Sequence, residues 1–305
     1  RVMWFLGGER FRLTSNPRLP AWIATITLGA AFAQTILSFQ DGVDRTAIVT
    51  DSGKQLMLVN GFSRVFELIF FGALTLAAFA SMNRLEVRGV GPNLSTDDLY
   101  NNRRQADFYI LMLTCGLGMS VVALAQDLFV LFIGLELASF STYVLVAFYK
   151  ETKAGTEAGM KYFIVGSVAS GVGLYGLSML YLWAGSLQFN VLAEQFVING
   201  TDPLPLIAMG FVLVGFGFKV SAAPFHFAAP DAYAGASSPI AGILATASKA
   251  MGIIGLLRML LIVAAPEASE DGTVWLTLLG VLSLVTMTWG NIAALGSTNP
   301  KRMLA

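Results

Sequence analysis

The chain has 305 residues, 55% of them hydrophobic and only 12% charged, and its 19 Lys and Arg balance 19 Asp and Glu. An ordinary soluble domain carries roughly 25% charged residues, so this composition, with a mean hydropathy of +0.68, calls for lipid around the chain. Zero net charge without a basic cluster excludes the electrostatic footprint of a nucleic-acid binder. The single cysteine, Cys115, excludes a disulfide framework or a Cys-type metal site and reads as packing.

The apolar residues fall in long runs, and a membrane helix needs about 20 of them. They predict an all-α, polytopic transmembrane bundle with spans near 19–39, 62–82, 108–125, 128–149, 160–184, 204–223, 239–264 and 273–295. Val2 to Gly8 reads as the tail of an earlier helix, and Lys301 to Ala305 as the entry to another, so the chain is expected to be a piece of a longer protein. The first span is not a secretory signal, because a basic stretch precedes it and further spans follow.

The connections differ in character. Segments 40–61 and 83–107 read as extramembrane loops, with Asp97, Asp98, Arg103 and Arg104 forming a solvated face. Asp127, between the third and fourth spans, is placed to cap the helix that comes after it. Segment 185–203 alternates apolar and polar residues, as a stretch on the membrane surface does, and contains the sequon Asn199-Gly200-Thr201. A second sequon, Asn93-Leu94-Ser95, falls on the opposite side and is expected to be silent.

Counting Lys and Arg in alternate loops tests the span assignment, since cytoplasmic loops carry the excess. One side holds Arg1, Arg10, Arg12, Arg18, Arg84, Arg88, Arg103, Arg104, Lys150, Lys153, Lys161, Lys301 and Arg302; the other holds only Arg45 and Lys54. The basic side is therefore expected in the cytoplasm. Gly171-Val172-Gly173-Leu174-Tyr175-Gly176 matches a dinucleotide fingerprint, but it lies in mid-span, where its glycines are expected to allow close helix packing. With no Walker motif, HExxH or Cys/His cluster in the sequence, no nucleotide, flavin, haem or iron–sulfur group is expected in this chain.

Charges inside a bilayer are costly and mark pathways unless they snorkel to the interface. Arg64 lies near a span end and reads as snorkelling. Lys161 admits that reading too, and Arg258, about two turns from its helix end, admits a structural one. Glu136, Lys219 and Lys249 are deeper, and buried ion pairs are poor stabilisers, so these three are read as functional. The stretch Lys219-Val220-Ser221-Ala222-Ala223-Pro224-Phe225-His226 is the strongest mechanistic clue. Its proline should break the helix near 219–230, and irregular backbone at membrane depth is tolerated only inside protein or beside a water-filled cavity. His226, the only histidine, can accept and release a proton near neutral pH. Glu136 and Lys219 in contact at about 4 Å would attract by roughly 4 kcal/mol at an effective dielectric of ~20. Separating them would ease proton release from the lysine toward His226 and Lys249.

At these residues the sequence resembles a known family. Gly134-Leu135-Glu136-Leu137 with Tyr143-Val144-Leu145-Val146-Ala147 and Glu157-Ala158-Gly159-Met160-Lys161-Tyr162-Phe163 is similar to the antiporter-like N subunits of respiratory complex I, the proton-pumping NADH-quinone oxidoreductase. So are Phe218 to His226, Pro230-Asp231-Ala232-Tyr233-Ala234-Gly235-Ala236, Ala247-Ser248-Lys249-Ala250 and Ser297 to Ala305. The resemblance implies two inverted five-helix repeats, each with a broken helix. It divides the chain into helices outside the repeat (1–107), a first repeat (108–264) and the start of a second (265–305). Glu136, Lys219, Lys249, His226 and Lys161 match the family's proton-channel positions. Phe227-Ala228-Ala229 stands after the histidine where the family usually has a tryptophan.

The resemblance further implies proton translocation driven by quinone reduction in other membrane-arm subunits, which would hold the quinone, flavin and iron–sulfur clusters. It places the chain as a multi-pass protein of the plasma membrane that meets lipid and no nucleic acid. An alternative of the transporter class is a subunit of a multisubunit Na⁺/H⁺ antiporter without redox coupling, and a third reading is a structural membrane scaffold.

Overall fold

The computed structural model describes residues 18–50, 53–83, 96–149, 152–199, 202–264 and 270–305, without the side chains of 96–103, 260–264 and 270–276. Several sequence-based expectations fall outside these: the helix tail at Val2 to Gly8, the loop bases Arg1, Arg10, Arg12, Arg84, Arg88 and Lys150, Asn93-Leu94-Ser95, and Gly200-Thr201 of the other sequon. The side chains of Asp97, Asp98 and Arg103 do so as well.

Helices α1 (Leu19–Asp41), α2 (Gly61–Ser81), α3 (Thr96–Leu124), α4 (Leu128–Val146) and α5 (Lys153–Ala184) succeed one another in sequence order. After a short α6 (Phe189–Asn199) come α7 (Pro203–Val220), the small α8 (Ala229–Gly235) and α9 (Ser238–Ile243). A π-helical turn, Leu244–Ser248, joins α9 to α10 (Lys249–Ala264), and α11 (Glu270–Leu295) and α12 (Pro300–Met303) end the chain. Among the described residues, eight helical stretches are long and apolar enough to cross a membrane, matching the expected number. The outward faces carry side chains such as Leu182, 77% exposed, and Leu76, 72% exposed, which suit lipid rather than water.

Local signals set the helix starts. Asn60 and Ser63 form a reciprocal capping box on α2, each side chain accepting the other's backbone N–H at 2.9 Å. Asp127 caps α4 as expected, accepting from Phe129 N at 2.8 Å and Val130 N at 3.3 Å. The fifth span starts earlier than 160, because Thr152 accepts from Gly155 N at 3.2 Å and begins the helix at Lys153. It stops at Gly185, whose φ of +69° is the left-handed stop that glycine adopts freely.

Segment 40–61 is more ordered than a loop. Strand β1 (Arg45–Val49) pairs antiparallel with β2 (Gln55–Val59), two β-rich runs around Asp51-Ser52-Gly53-Lys54, a turn-forming sequence. The same end of the molecule collects the other loops predicted to share its side. Gln126 N donates to Leu56 O at 2.9 Å, and Leu128 N to Leu187 O at 2.8 Å. At the opposite end Arg104 donates to Phe148 O at 2.9 Å, and Lys161 meets Asp231. Alternating spans require this sorting of loops between two ends.

Two of the three mid-span glycines allow close packing, as expected, whereas a β-carbon on Gly171 would meet nothing within 4 Å. A β-carbon on Gly176 would stand 2.6 Å from Ala208 O, and one on Gly173 would stand 3.5 Å from the α-carbon of Gly215, so α5 and α7 approach nearly backbone to backbone. Arg64 does not snorkel to the lipid interface. It is 3% exposed, its Nε donates to Ser38 Oγ at 2.9 Å, and its Nη2 donates to Val43 O. It therefore ties α2 to the end of α1 inside the protein.

Candidate functional site

The chain breaks where Pro224 predicts it. α7 stops at Val220, and Ser221 takes φ +60°, a conformation that L-residues rarely adopt. Residues 221–228 form turns before α8 begins at Ala229. Backbone groups opened by the break find partners inside the protein, as membrane depth demands. Ala222 N returns to Gly217 O at 2.8 Å, and Ala223 N donates to Thr286 Oγ1, on α11, at 3.0 Å.

Two lysines flank the break. Lys219, on the last turn of α7, is 4% exposed. Its Nζ donates to Tyr143 Oη at 3.2 Å and lies 5.0 Å from that ring's centroid and 5.3 Å from that of Phe218. Lys249 approaches from the other side, presented immediately after the π-helical turn that interrupts the predicted 239–264 span. A π turn carries an extra residue and rotates the face presented by the next helical turn. The Lys249 ammonium donates to Val220 O at 3.1 Å and to Ser221 Oγ, so it sits on the negative end of α7. Lys219 and Lys249 line one cavity with Tyr162, Ser221, Tyr233 and Ser248, with about 10 Å³ of room for water centres, near the threshold for one water.

His226 lies in the break itself. Its ring stacks on Phe227 at 5.3 Å and meets Trp289 of α11 at 6.0 Å, and its Nδ1 is buried without a hydrogen-bond partner. Phe227 is 70% exposed, so the ring next in sequence is only part of the histidine's packing. A distant helix thus supplies a tryptophan ring beside the histidine. His226 and Ser221 also line a cavity of about 330 Å³ against α11.

Glu136 is partly buried on α4 and accepts from Ser170 Oγ, on α5, at 2.6 Å. Direct contact with Lys219 was expected, but among the described residues no ion pair within 4.0 Å joins them. The attraction of roughly 4 kcal/mol at contact is therefore an upper bound. Two hydroxyls stand between the groups, those of Tyr143 and Ser170.

Lys161 is not part of this cluster. It is exposed about two turns into α5, paired with Glu157 at 2.8 Å and Asp231 at 2.9 Å, and Asp231 also takes Arg302 of α12. The pairs hold the Asp231 carboxyl below its ordinary range, first through the Lys161 hydrogen bond and then through that of Arg302. Arg258 has a structural setting. Its guanidinium lies 4.7 Å from the ring centroid of Phe62 and 5.1 Å from that of Phe189, with Nε and Nη2 buried and without hydrogen-bond partners.

Sequence reasoning missed two participants and one further acidic residue within a span. Tyr143 lies seven residues after Glu136, and so on the same face of α4, a spacing visible in the sequence. Ser170 gave no signal, since serine is common in membrane helices and only its register against α4 matters. Glu67, an acidic residue inside the α2 run, accepts from Ser120 Oγ at 2.7 Å.

Known proteins similar to this chain point to its family and fold. Residues 125–305 match the family described as NADH:quinone oxidoreductase/Mrp antiporter, TM. F(420)H(2) dehydrogenase subunit N of Methanosarcina mazei is 32% identical over 97% of this chain and 56% of its own length. NADH-quinone oxidoreductase subunit N 2 of Roseiflexus castenholzii is 34% identical over 95% of this chain and 54% of its own. Among solved structures, a chain of respiratory complex I from Thermus thermophilus superposes with a TM-score of 0.72 at 28% identity, covering 94% of this chain and 56% of that one. The chain thus spans about half the length of the relatives it matches.

Proposed function

The chain belongs to the NADH:quinone oxidoreductase/Mrp antiporter transmembrane family, and on that premise we propose that it translocates protons as a membrane subunit of a complex I type quinone oxidoreductase. Other subunits of the assembly hold the donor site, the quinone, flavin and iron–sulfur clusters; this chain contributes a non-redox path in the membrane arm. Residues 108–264 form the first repeat of that path and 265–305 begin the second, after helices in 1–107 that stand outside it. The assembly lies in the plasma membrane, with the basic loops in the cytoplasm. Membrane-arm subunits and lipid are the partners.

One observation carries the reading: Lys219 is buried at a broken helix inside an apolar bundle, bonded to the Tyr143 hydroxyl, with Lys249 across a small shared cavity. A cation held there with no carboxylate in contact is a poor stabiliser and a good carrier, because its charge can leave as a proton. His226 in the break offers the next acceptor, and Lys249 receives from either side of the cavity. Lys161 acts at the membrane edge through Asp231, setting the position of α8 and hence of the break.

The test is proton translocation by the complete complex carrying Lys219→Ala and Lys249→Ala together. Loss of pumping is expected. Pumping at the unmodified rate overturns the reading and leaves a scaffold.

A further inference from the structure

Hydroxyl groups on two helices stand between Lys219 and Glu136, and the direction of each hydrogen bond is fixed by chemistry. An ammonium only donates and a carboxylate only accepts. Lys219 Nζ donates to Tyr143 Oη at 3.2 Å, so the phenol's own proton must point onward. The hydroxyls of Ser139, on its own helix, and of Ser170, on α5 four residues beyond the glycine that faces the phenol, are side-chain neighbours of that phenol. Ser139 is a dead end, since its own proton goes back to Leu135 O on its own helix. Ser170 donates to Glu136 Oε1 at 2.6 Å, a short bond to a charged acceptor.

The backbone is cut to admit this chain. A β-carbon on Gly166 would stand 2.1 Å from Tyr143 Oη, so the phenol occupies the notch that the glycine leaves on α5. Ser170 lies four residues on, directly above that notch on the same face. Tyr143 is held in place by an edge-on ring contact with Tyr162 at 4.8 Å, and is 3% exposed. Glu136 and Tyr143, seven residues apart, lie on one face of α4.

We propose that Tyr143 and Ser170 form a proton wire from Lys219 to Glu136, so that the two ionisable groups exchange a proton through hydroxyls rather than through direct contact. This rests on the reading that Lys219 and Glu136 carry protons. In the transfer the Lys219 ammonium gives a proton to Tyr143 Oη as the phenol passes its own to Ser170 Oγ, and Ser170 passes its own to Glu136 Oε1. One N–H and two O–H bonds break and three O–H bonds form. Lys219 becomes a neutral amine, Glu136 a neutral acid, and both hydroxyls are regenerated pointing the other way. The wire thereby discharges a buried cation and a buried anion together and leaves no net charge stranded in the bilayer.

The experiment uses the assembled complex, reconstituted into vesicles, with proton translocation and quinone reduction monitored together. Tyr143→Phe keeps the ring packing and Ser170→Ala keeps the helix, yet each is expected to lower translocation by about 100-fold, as loss of a positioned proton-transfer group does. Ser170→Thr, which keeps the hydroxyl, restores most of the rate, and Ser139→Ala leaves it unchanged. An infrared difference spectrum of the unmodified complex in turnover should show the carbonyl band of protonated Glu136, abolished by Glu136→Gln and missing in Tyr143→Phe. If Tyr143→Phe and Ser170→Ala pump at the full rate while Lys219→Ala and Glu136→Gln do not, the wire is wrong and the proton path stands. If all four pump at the full rate, the path falls as well.

Discussion

The ammonium of Lys249 donates to the carbonyl of Val220 at 3.1 Å, so the last residue of α7 is capped by a lysine from another helix. The interaction fuses two roles, since the group that satisfies the broken backbone is also the group that can exchange a proton across the cavity.

Replacing Lys249 should therefore cost stability as well as activity. Lys249→Met leaves Val220 O and Ser221 Oγ without their donor, a loss of about 1–3 kcal/mol for unsatisfied buried groups. Denaturation of the complex in detergent, with and without the substitution, measures it; an unchanged midpoint would mean that water replaces the ammonium at no cost.

Gly166→Ala should displace the Tyr143 phenol, because the added carbon would fall 2.1 Å from Oη. Overpacking of this kind costs about 1–3 kcal/mol, and translocation should fall with it. Gly171→Ala on the same helix is the control, since its β-carbon meets nothing within 4 Å. Equal behaviour of the two variants in a thermal-stability and pumping assay would contradict the notch.

Asp231 gives an acid-side prediction. Its carboxyl is held below the usual range by Lys161 and then Arg302, so its contribution is complete above the unfolded value of about 3.9 and is lost as pH falls through the lower folded value. Thermal unfolding at neutral pH should be lowered by Asp231→Asn, and the gap to the unmodified protein should close on acidification below about pH 4. A gap that persisted or widened in acid would reverse the sign.

Arg258 should be dispensable for pumping. With two nitrogens lacking partners and two rings about the guanidinium, replacement by an apolar side chain of similar volume is expected to be neutral or mildly stabilising. Arg258→Met with unimpaired proton translocation is the expected result; a pumping defect with normal stability would place Arg258 on the path.

The sequence reveals the features that act locally. Hydropathy places the spans, Asp127 announces its own cap, and Pro224 marks the break because its ring removes a donor wherever it stands. The π turn before Lys249 carries no such mark, since Leu244-Ala245-Thr246-Ala247-Ser248 would read as ordinary helix. The β-hairpin hid in a segment polar enough to pass for a loop. The charges Glu136, Lys219 and Lys249 were legible as a set, but the hydroxyl chain depends on the register of α5 against α4, which a single chain of residues does not encode in any short window. Lys161 illustrates the converse: its position near a span end was visible, and its partner Asp231, 70 residues away, was not.

The central claim is that Lys219 releases a proton rather than merely holding a charge. Lys219→Arg separates these, because a guanidinium keeps the positive charge and does not deprotonate in a protein. The measurement is the rate of proton translocation by the assembled, quinone-reducing complex in sealed vesicles. Abolished pumping is the predicted result, and pumping at the unmodified rate would contradict it.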